Sequence, residues 1–582
     1  MAGDAAHRTR TVKRDQKNTQ VSTKNLLTKV ILAFLIMISG ACVQPQAENN
    51  LSDLYEGLEF DMPMIREPVI PDFAVSITDF GAVPGGQVLN TQAFADAIDA
   101  VTEKGGGKVT IPAGIWLTGP VILKSNLELH AESGALIIFS ENKDHYPLVE
   151  TSFEGLNTWR CISPIYGKNL ENIAFTGSGV WDGSGHVWRY VKKFKLTSNQ
   201  WNELVASGGV VNEAGTEWYP SEQYLEAAQN ANMNVPMHLE TKEDYEAIRD
   251  FLRPVMVSIQ NSKSVMLDGP VFQNSPAWCI HPLVVEDLIV KNITVRNPWF
   301  SQNGDGIDIE SCKNVIVTNC NFDVGDDAIC IKSGKDEQGR ARGIPSENLI
   351  ITNNIVYHGH GGVTVGSEMS GGVRNVHVSK CTFMGTDVGL RFKSNRGRGG
   401  VVEDIYISDI RMTDIPTNAI SFNLYYGGLS VSEMLEEGGS NAFAAPEPVT
   451  EETPQFKNIH IRNITVKGAM QAVVLQGLPE MNLENVTLSN MLLEAENGIL
   501  ISDATNIRIE HVDLITGEGN ALSIINSSEI EVAQLDYEYK TENEIIVLGE
   551  RSRRISIQPG ADQELGSHVF VGGEVDAGEI SF

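Results

Sequence analysis

The chain is 582 residues long, 42% hydrophobic and 20% charged, which excludes global disorder and leaves ample apolar material for a large core. Its 75 acidic residues outnumber its 44 lysines and arginines, for a formal charge of −31. That excess excludes nucleic acid as a partner. An anionic ligand could bind only where a local basic cluster reverses the field within about 8 to 10 Å.

Seven cysteines, none in a C-x-x-C pair, exclude a disulfide scaffold and the zinc and redox motifs; the six after Cys42 read as small buried hydrophobes. The start is basic (Arg8, Arg10, Lys13, Arg14, Lys17, Lys24, Lys29) and runs into apolar Val30 to Ile38 and then Ser39-Gly40-Ala41-Cys42. This is the order of a secretory signal, with an apolar core too short to span a bilayer. The small residues before Cys42 are similar to a bacterial lipoprotein signal, although Ser39 stands where that signal usually carries Leu. The expectation is an exported bacterial protein, periplasmic, outer-membrane-anchored or extracellular. Residues 1–41 are the signal segment and 42–68 a polar tether, with membrane attachment through a lipidated Cys42 or an ordinary cleaved signal as the two outcomes.

From Val75 the text turns structural. Ala93, Phe94, Ala97, Ile98 and Val101 recur at helical spacing behind Thr91, which predicts an amphipathic helix capped by Thr91 that closes one end of the fold. Strands are predicted over Lys108–Ile111 and Trp116–Leu123, with Leu127, Leu129, Leu136 and Ile138 continuing the pattern.

Internal repetition then dominates. Lys313-Asn314-Val315 recurs as Glu347-Asn348-Leu349, Arg374-Asn375-Val376, Glu403-Asp404-Ile405, Lys457-Asn458-Ile459 and Thr505-Asn506-Ile507, with further copies at Glu286-Asp287-Leu288 and Met481-Asn482-Leu483. The gaps between Asn or Asp markers are 27, 34, 27, 29, 54, 24 and 24 residues. A period near 24 with extra length at certain turns marks a solenoid, and units of short β-branched strands with almost no helix point to an all-β parallel β-helix. Inward Ile, Val and Leu should form one continuous core and the markers a hydrogen-bonded ladder at a turn. The predicted organisation is one β-helix domain over 69–558, capped by the N-terminal helix, with a helical, aromatic-rich insertion at 186–250 and a tail at 559–582. A lengthened turn at Lys335–Pro345 and a Gly, Glu and Pro-rich excursion at 427–455 interrupt the period, and such excursions tend to collect on a binding face.

The chemistry concentrates between Asn303 and Lys393. N-G-D-G-I-D (Asn303–Asp308), G-D-D-A-I-C (Gly325–Cys330), G-H-G-G (Gly359–Gly362) and R-F-K (Arg391–Lys393) follow in order. Asp305 and Asp326 are 21 residues apart, about one coil, so they should be neighbours on adjacent coils. In a regular strand Asp326 and Asp327 would face opposite ways, so both reach one site only if the chain breaks there, as Gly325 permits. Clustered carboxylates cannot all ionise at their ordinary pKa, which supplies an acid and a base together, the pair that glycoside hydrolysis needs. Arg391 and Lys393 share a side of their strand and could bind a sugar carboxylate, with Lys332, Arg396 and Arg398 adding to the positive field.

N-x-D, G-D-D, G-H-G and R-x-K in this order closely resemble the polygalacturonases of glycoside hydrolase family 28. D-F-G-A (79–82), G-G-G-K-V-T-I-P-A-G (105–114) and N-S-P-A-W-C-I-H-P (274–282) support the likeness, which covers roughly residues 75–550. The resemblance implies a right-handed, pectin-lyase-like parallel β-helix that hydrolyses α-1,4-galacturonosyl bonds of pectin with inversion. It implies Asp326 as the acid, Asp305 and Asp327 as the groups that position and deprotonate water, His360 as a residue that tunes the acid, and Arg391 and Lys393 as holders of the galacturonate carboxylate. Asn303, His281 and Lys332 are taken as further substrate contacts, and no metal or cofactor is implied. The phrases at Lys332–Arg340 and Gly366–Gly372 look like exo-acting bacterial members, with the insertions walling off one end of the cleft. The competing readings are a rhamnogalacturonan hydrolase, a calcium-dependent pectate lyase on the same fold and a non-catalytic glycan-binding β-helix. Oligomeric state is not legible.

Overall fold

A left-handed backbone corner costs an ordinary L-residue roughly 1–2 kcal/mol, and Asn and Asp escape part of that cost because their short polar side chains bond locally. The repeat markers use this property. In a computed structural model, Asp287, Asn314, Asn348, Asn375, Asp404, Asn458 and Asn506 all turn with φ between 55° and 61°. The model describes residues 51–231, 234–426, 445–517, 519–537, 544–559 and 568–581. The expected signal, Cys42 and residues 427–444 of the excursion lie outside the described residues.

Each marker amide donates to the marker one coil back: Asn314 to Asp287 at 2.9 Å, Asn348 to Asn314 and Asn375 to Asn348 at 3.0 Å, and Asn458 to Asp404 at 3.2 Å. One marker differs from expectation. Asn485, not Asn482, occupies the corner, with φ 54° and bonds to Asn458 and from Asn506. The chain from Gln476 to Leu483 first completes a turn in which Leu478 and Met481 bond each other, which displaces the marker by three residues. A second ladder, in which Asn292 donates to Asp268, Asn353 to Asn319 and Asn463 to Asp409, fixes the next corner.

Between the corners run short parallel strands, each paired with the equivalent strands of the coils before and after it, in a right-handed parallel β-helix. Ile280, Ile307, Ile329, Val363, Leu390, Ile420, Val473, Ile499, Leu522 and Ile545 stack in register as one inward row. Phe392 lies on Phe422 with ring centroids 4.2 Å apart and planes within 6°. Six cysteines, Cys161, Cys279, Cys312, Cys320, Cys330 and Cys381, are free and buried.

The helix Thr91–Glu103 closes the N-terminal end of this core with Phe94, Ala97, Ile98 and Val101 buried. Asn90 rather than Thr91 is its N-cap; the Thr91 hydroxyl instead accepts from the Gly119 amide. The end of the expected tether is not free. Glu59 pairs with His377 at 2.8 Å, Phe60 packs on Tyr406, and Glu67 pairs with Lys291, so residues 59–67 lie along the coils. Nor does the coil stop at 558: Val569–Val571 pairs with Ile545–Val547, and Ile580–Ser581 with Ile555–Ser556.

The insertion holds the short helices Ser198–Ala206, Glu222–Asn230 and Lys242–Glu246 around a three-stranded antiparallel sheet. Trp188, Tyr219, Tyr224 and Tyr245 pack with Tyr146, Leu148 and Cys161 in a second core apart from that of the coils. A hairpin, Leu148–Phe153 with Leu156–Cys161, and the helix Asp336–Arg342 roof the neighbouring coils; Gln338 accepts from the Asn157 amide and Arg342 reaches Ser152.

Asn348, 9% exposed, gives one ladder bond and receives another. Asn348→Ala should therefore lose about 2 kcal/mol or more of stability, combining the corner cost with the lost bonds. Asn348→Gly, which keeps the left-handed corner, should lose less; chemical denaturation of the two variants beside the parent checks the ordering.

Candidate active site

Two loops and a strand segment carry the site at successive coils: residues 297–306 lead into the strand Ile307–Glu310, residues 324–328 lead into Ile329–Lys332, and residues 357–362 lie within the long strand Ile355–Gly366, whose Val363 stacks beside Ile329. Residues 324–328 belong to no strand, so alternation does not apply to Asp326 and Asp327. The turn is tight: a Cβ on Gly325 would strike the Ser301 hydroxyl and the Pro298 carbonyl, and one on Gly361 would strike Thr364 and Asp327. Asp305, Asp326 and Asp327 consequently present carboxylate oxygens within 4.8 Å of one another.

The three carboxyls sit in different fields. Asp327 is 1% exposed and accepts from Lys393 Nζ at 2.7 Å, Arg391 Nη1 at 3.0 Å and Thr364 Oγ1 at 3.0 Å. Burial alone would raise its pKa, but Lys393 and Arg391 outweigh burial and hold it well below the usual carboxylate range. Asp305 is 3% exposed and its Oδ1 has no hydrogen-bond partner among the described residues. Burial, followed by the charges of Asp308 and Asp326, pushes its pKa well up. Asp308 is buried with neither oxygen hydrogen-bonded to a described residue and is raised in the same way, against the pull of Lys332. Asp326 is half-buried, and one of its oxygens accepts from the Asp327 amide at 3.0 Å. A carboxylate held ionised and a carboxyl whose ionisation burial opposes thus flank the most accessible acid of the trio.

His360 Nδ1 lies 2.8 Å from Asp387 Oδ2. That bond raises the imidazole pKa, burial opposes it, and Asp326 and Asp327 add to the rise, so the ring stays cationic to higher pH than a free histidine. Tyr426 lies under the two cations, with Lys393 Nζ 5.0 Å and the Arg391 guanidinium 5.8 Å from its ring centre.

Asp326, Asp305, Asp327, His360, Arg391 and Lys393 are therefore brought together, and three other expected contacts are not what the sequence suggests. His281 is fully buried, with Nε2 2.8 Å from Glu310 and its ring edge-on to Trp278, so no ligand can reach it. Lys332, 4% exposed, is spent on Glu368 at 2.8 Å and Asp308 at 3.6 Å and lies over Trp278. Both face outward from their sheet, but the roof covers that face, as Arg342 on Glu310 shows. Asn303 turns with φ 53°, and its side-chain carbonyl accepts from Arg253 at 2.9 Å and Asn234 at 3.1 Å, so it shapes the turn that delivers Asp305. Arg396 is likewise bound to Glu480 and Arg398 to Asp336 and the Ser367 carbonyl, which removes them from the local field.

Thr364, Asp387 and Tyr426, with Lys195 of the insertion and Arg253 just after it, complete the surroundings, and none stood out in the sequence. Three close carboxylates are also what a divalent cation requires. Here Asp327 is already neutralised by Lys393 and Arg391, so a cation would compete with both.

The unmet burial of Asp305 predicts a stability signature. A carboxyl with a raised folded pKa costs stability increasingly as pH climbs above the unfolded value of about 3.9 and through the folded one. Asp305→Asn should therefore gain stability over the parent as pH rises from 4 towards 8, while losing activity; urea unfolding across that range measures the gain, and an advantage that shrinks with pH would contradict it.

The model of the glycosyl hydrolases family 28 matches residues 189–433, the span that holds the whole site. A crystal structure of a hyperthermoactive exopolygalacturonase from Thermotoga maritima is similar with a TM-score of 0.59 and 32% identity, covering 78% of this chain and 93% of that one. An exo-poly-alpha-D-galacturonosidase of Dickeya chrysanthemi is 26% identical over 75% of this chain and 70% of its own. An endo-polygalacturonase of Pectobacterium carotovorum subsp. carotovorum is 26% identical over 70% of this chain and 85% of its own.

Proposed function

The chain belongs to glycosyl hydrolase family 28 as a polygalacturonase-type hydrolase, and we propose that it trims α-1,4-linked galacturonate from polygalacturonate chain ends with inversion. The observation that carries this reading is one accessible acid, Asp326, beside a carboxylate held ionised by Arg391 and Lys393. Asp326 donates its proton to the glycosidic oxygen as the C1–O bond breaks. Asp327, with Asp305 beside it, takes a proton from the water whose oxygen bonds C1 from the other face.

Arg391 and Lys393 supply the positive charge that a galacturonate carboxylate needs on a chain of net charge −31. That carboxylate would share cations that now hold Asp327 alone. Their grip on Asp327 would weaken, and its basicity would rise only once substrate is in place. His360, cationic through Asp387, keeps positive charge beside Asp326 as that acid gives up its proton.

Support for end-trimming comes from the insertion, the hairpin and the helix Asp336–Arg342, which cover the coils on the N-terminal side of the site. A covered end suits a chain terminus better than a chain passing through. Relatives of both modes exist, so product analysis decides. Polygalacturonate should yield monogalacturonate or one short oligomer from the earliest times, in the presence of chelator, and mixed oligomers would overturn the exo mode. The carboxylate oxygens, within 4.8 Å, are closer than the roughly 6.5–9.5 Å usual for inverting pairs. Inversion then depends on water lodging against the Asp305–Asp327 pair, and NMR of the first product should show the β-anomer; the α-anomer would mean retention.

A further inference from the structure

Behind the loop that delivers Asp305 lie three buried arginines that the mechanism does not use. Arg160 of the hairpin, Arg189 of the insertion and Arg253 just after it are 0 to 3% exposed, yet none forms an ion pair with a described residue. One hydrogen-bonded knot joins them. Arg160 Nε donates to the Arg253 carbonyl at 2.6 Å and its Nη1 to the Asn234 carbonyl at 3.0 Å. Arg253 Nη1 donates to the Pro276 and Gln302 carbonyls, and its Nη2 to Asn234 Oδ1 at 3.1 Å and Asn303 Oδ1 at 2.9 Å. Arg189 Nη2 donates at 2.6 Å to Asn274 Oδ1, two residues before Pro276.

Two acids reach this knot only through an amide. Asn234 donates to Glu154 while it accepts from Arg253, and Asn274 donates to Asp182 at 3.0 Å while it accepts from Arg189. Each carboxylate is thus held one side chain away from the cation it would neutralise. Arg160 Nη2, Arg189 Nη1, Arg253 Nε and the adjacent Gln302 Nε2 are buried with no hydrogen-bond partner among the described residues, as is the second oxygen of Glu154. Buried charges are normally paired and buried donors met, because each exception costs free energy. Burial, with the charge of Arg253 second, pushes Arg160 and Arg189 down to about 9, so both stay cationic at neutral pH. Three positive charges against two negative ones leave one over, together with four unused donors. The cluster is too enclosed for a sugar ring, which limits a ligand to a single compact ion.

We propose that Arg160, Arg189 and Arg253 enclose one monovalent inorganic anion of about the size of chloride, which ties the hairpin and the insertion to the loop that carries Asp305. The anion cancels the excess charge and takes the donors that no side chain reaches. Because Arg253 holds both the Gln302 carbonyl and the Asn303 side chain, an anion that fixes Arg253 also fixes the approach to Asp305. This site stands apart from the cleft and is independent of the substrate assigned above.

The test is thermal unfolding of the full-length protein dialysed into gluconate, an anion too large for the cluster, with chloride then added at constant ionic strength. Chloride should raise the midpoint by about 2 °C or more and saturate, as binding to the folded state alone requires. Arg189→Met leaves the knot with balanced charge and should lose this response, whereas Arg189→Lys should keep it. Should Arg189→Met not fold, crystals of the parent grown in bromide decide: anomalous scattering should place bromide within hydrogen-bond distance of Arg253 Nε and of Arg160 or Arg189. No bromide there, or a chloride response that Arg189→Met retains, would overturn the assignment. Bromide displaced by trigalacturonate would overturn it too, and would give the arginines to a substrate carboxylate instead.

Discussion

The structure depends on the left-handed Asn and Asp corners that lock each coil onto the last. Backbone pairing between parallel strands fixes the spacing of coils but not where each coil turns. The Asn314, Asn348 and Asn375 rungs fix that, because each bonds its counterpart one coil away. Once the corners are in register, the three segments that carry the site, residues 297–306, 324–328 and 357–362, lie at successive coils. Groups 21 to 66 residues apart, such as Asp305 with Asp326 and Asp327 with Lys393, become neighbours. Catalytic geometry is thus inherited from a purely structural repeat.

Upon that frame the site is built by denying some charges their partners and giving others too many. Asp327 has two cations and a hydroxyl, Asp305 has an oxygen with none, and Asp326 opens to solvent. Desolvation costs several kcal/mol per unpaired buried ion, so ionisation is disfavoured at Asp305 while Lys393 and Arg391 hold it at Asp327. The chain accepts that cost at the one place where an acid and a base must coexist a few ångströms apart. The same logic explains why the protein, acidic elsewhere, gathers Arg391, Lys393, His360 and Lys195 around this point.

Much of this was legible in the sequence, and the rest had physical reasons to be hidden. The repeat exposed the β-helix and its inward rows because Ile, Val and Leu recur with the markers. Asp305, Asp326, Asp327, His360, Arg391 and Lys393 could be grouped because coil spacing converts to proximity. His281 and Lys332 read as site residues because both face outward on their sheet, and only the packing of the Asp336–Arg342 helix and the hairpin reveals that this face is roofed. Asn482 and Asn485 are each an asparagine directly before an apolar residue, and only backbone φ shows that Asn485 holds the corner. Lys195 lies in an insertion without periodicity, where no pattern links it to residues more than a hundred positions away. The end of the tether and the last strands carry no repeat marker, yet they pair along the coils.

The central claim is that Asp326 gives up the proton on which bond cleavage depends while Asp327 and Asp305 serve the water. Its most direct measurement is the turnover of Asp326→Asn on polygalacturonate, read beside its unfolding midpoint and its affinity for trigalacturonate. The account predicts a rate lower by about 10³-fold or more, the size of effect expected when a group acting in the transition state is removed. Fold and binding should be intact. Turnover within about tenfold of the parent would place the acid elsewhere and contradict it.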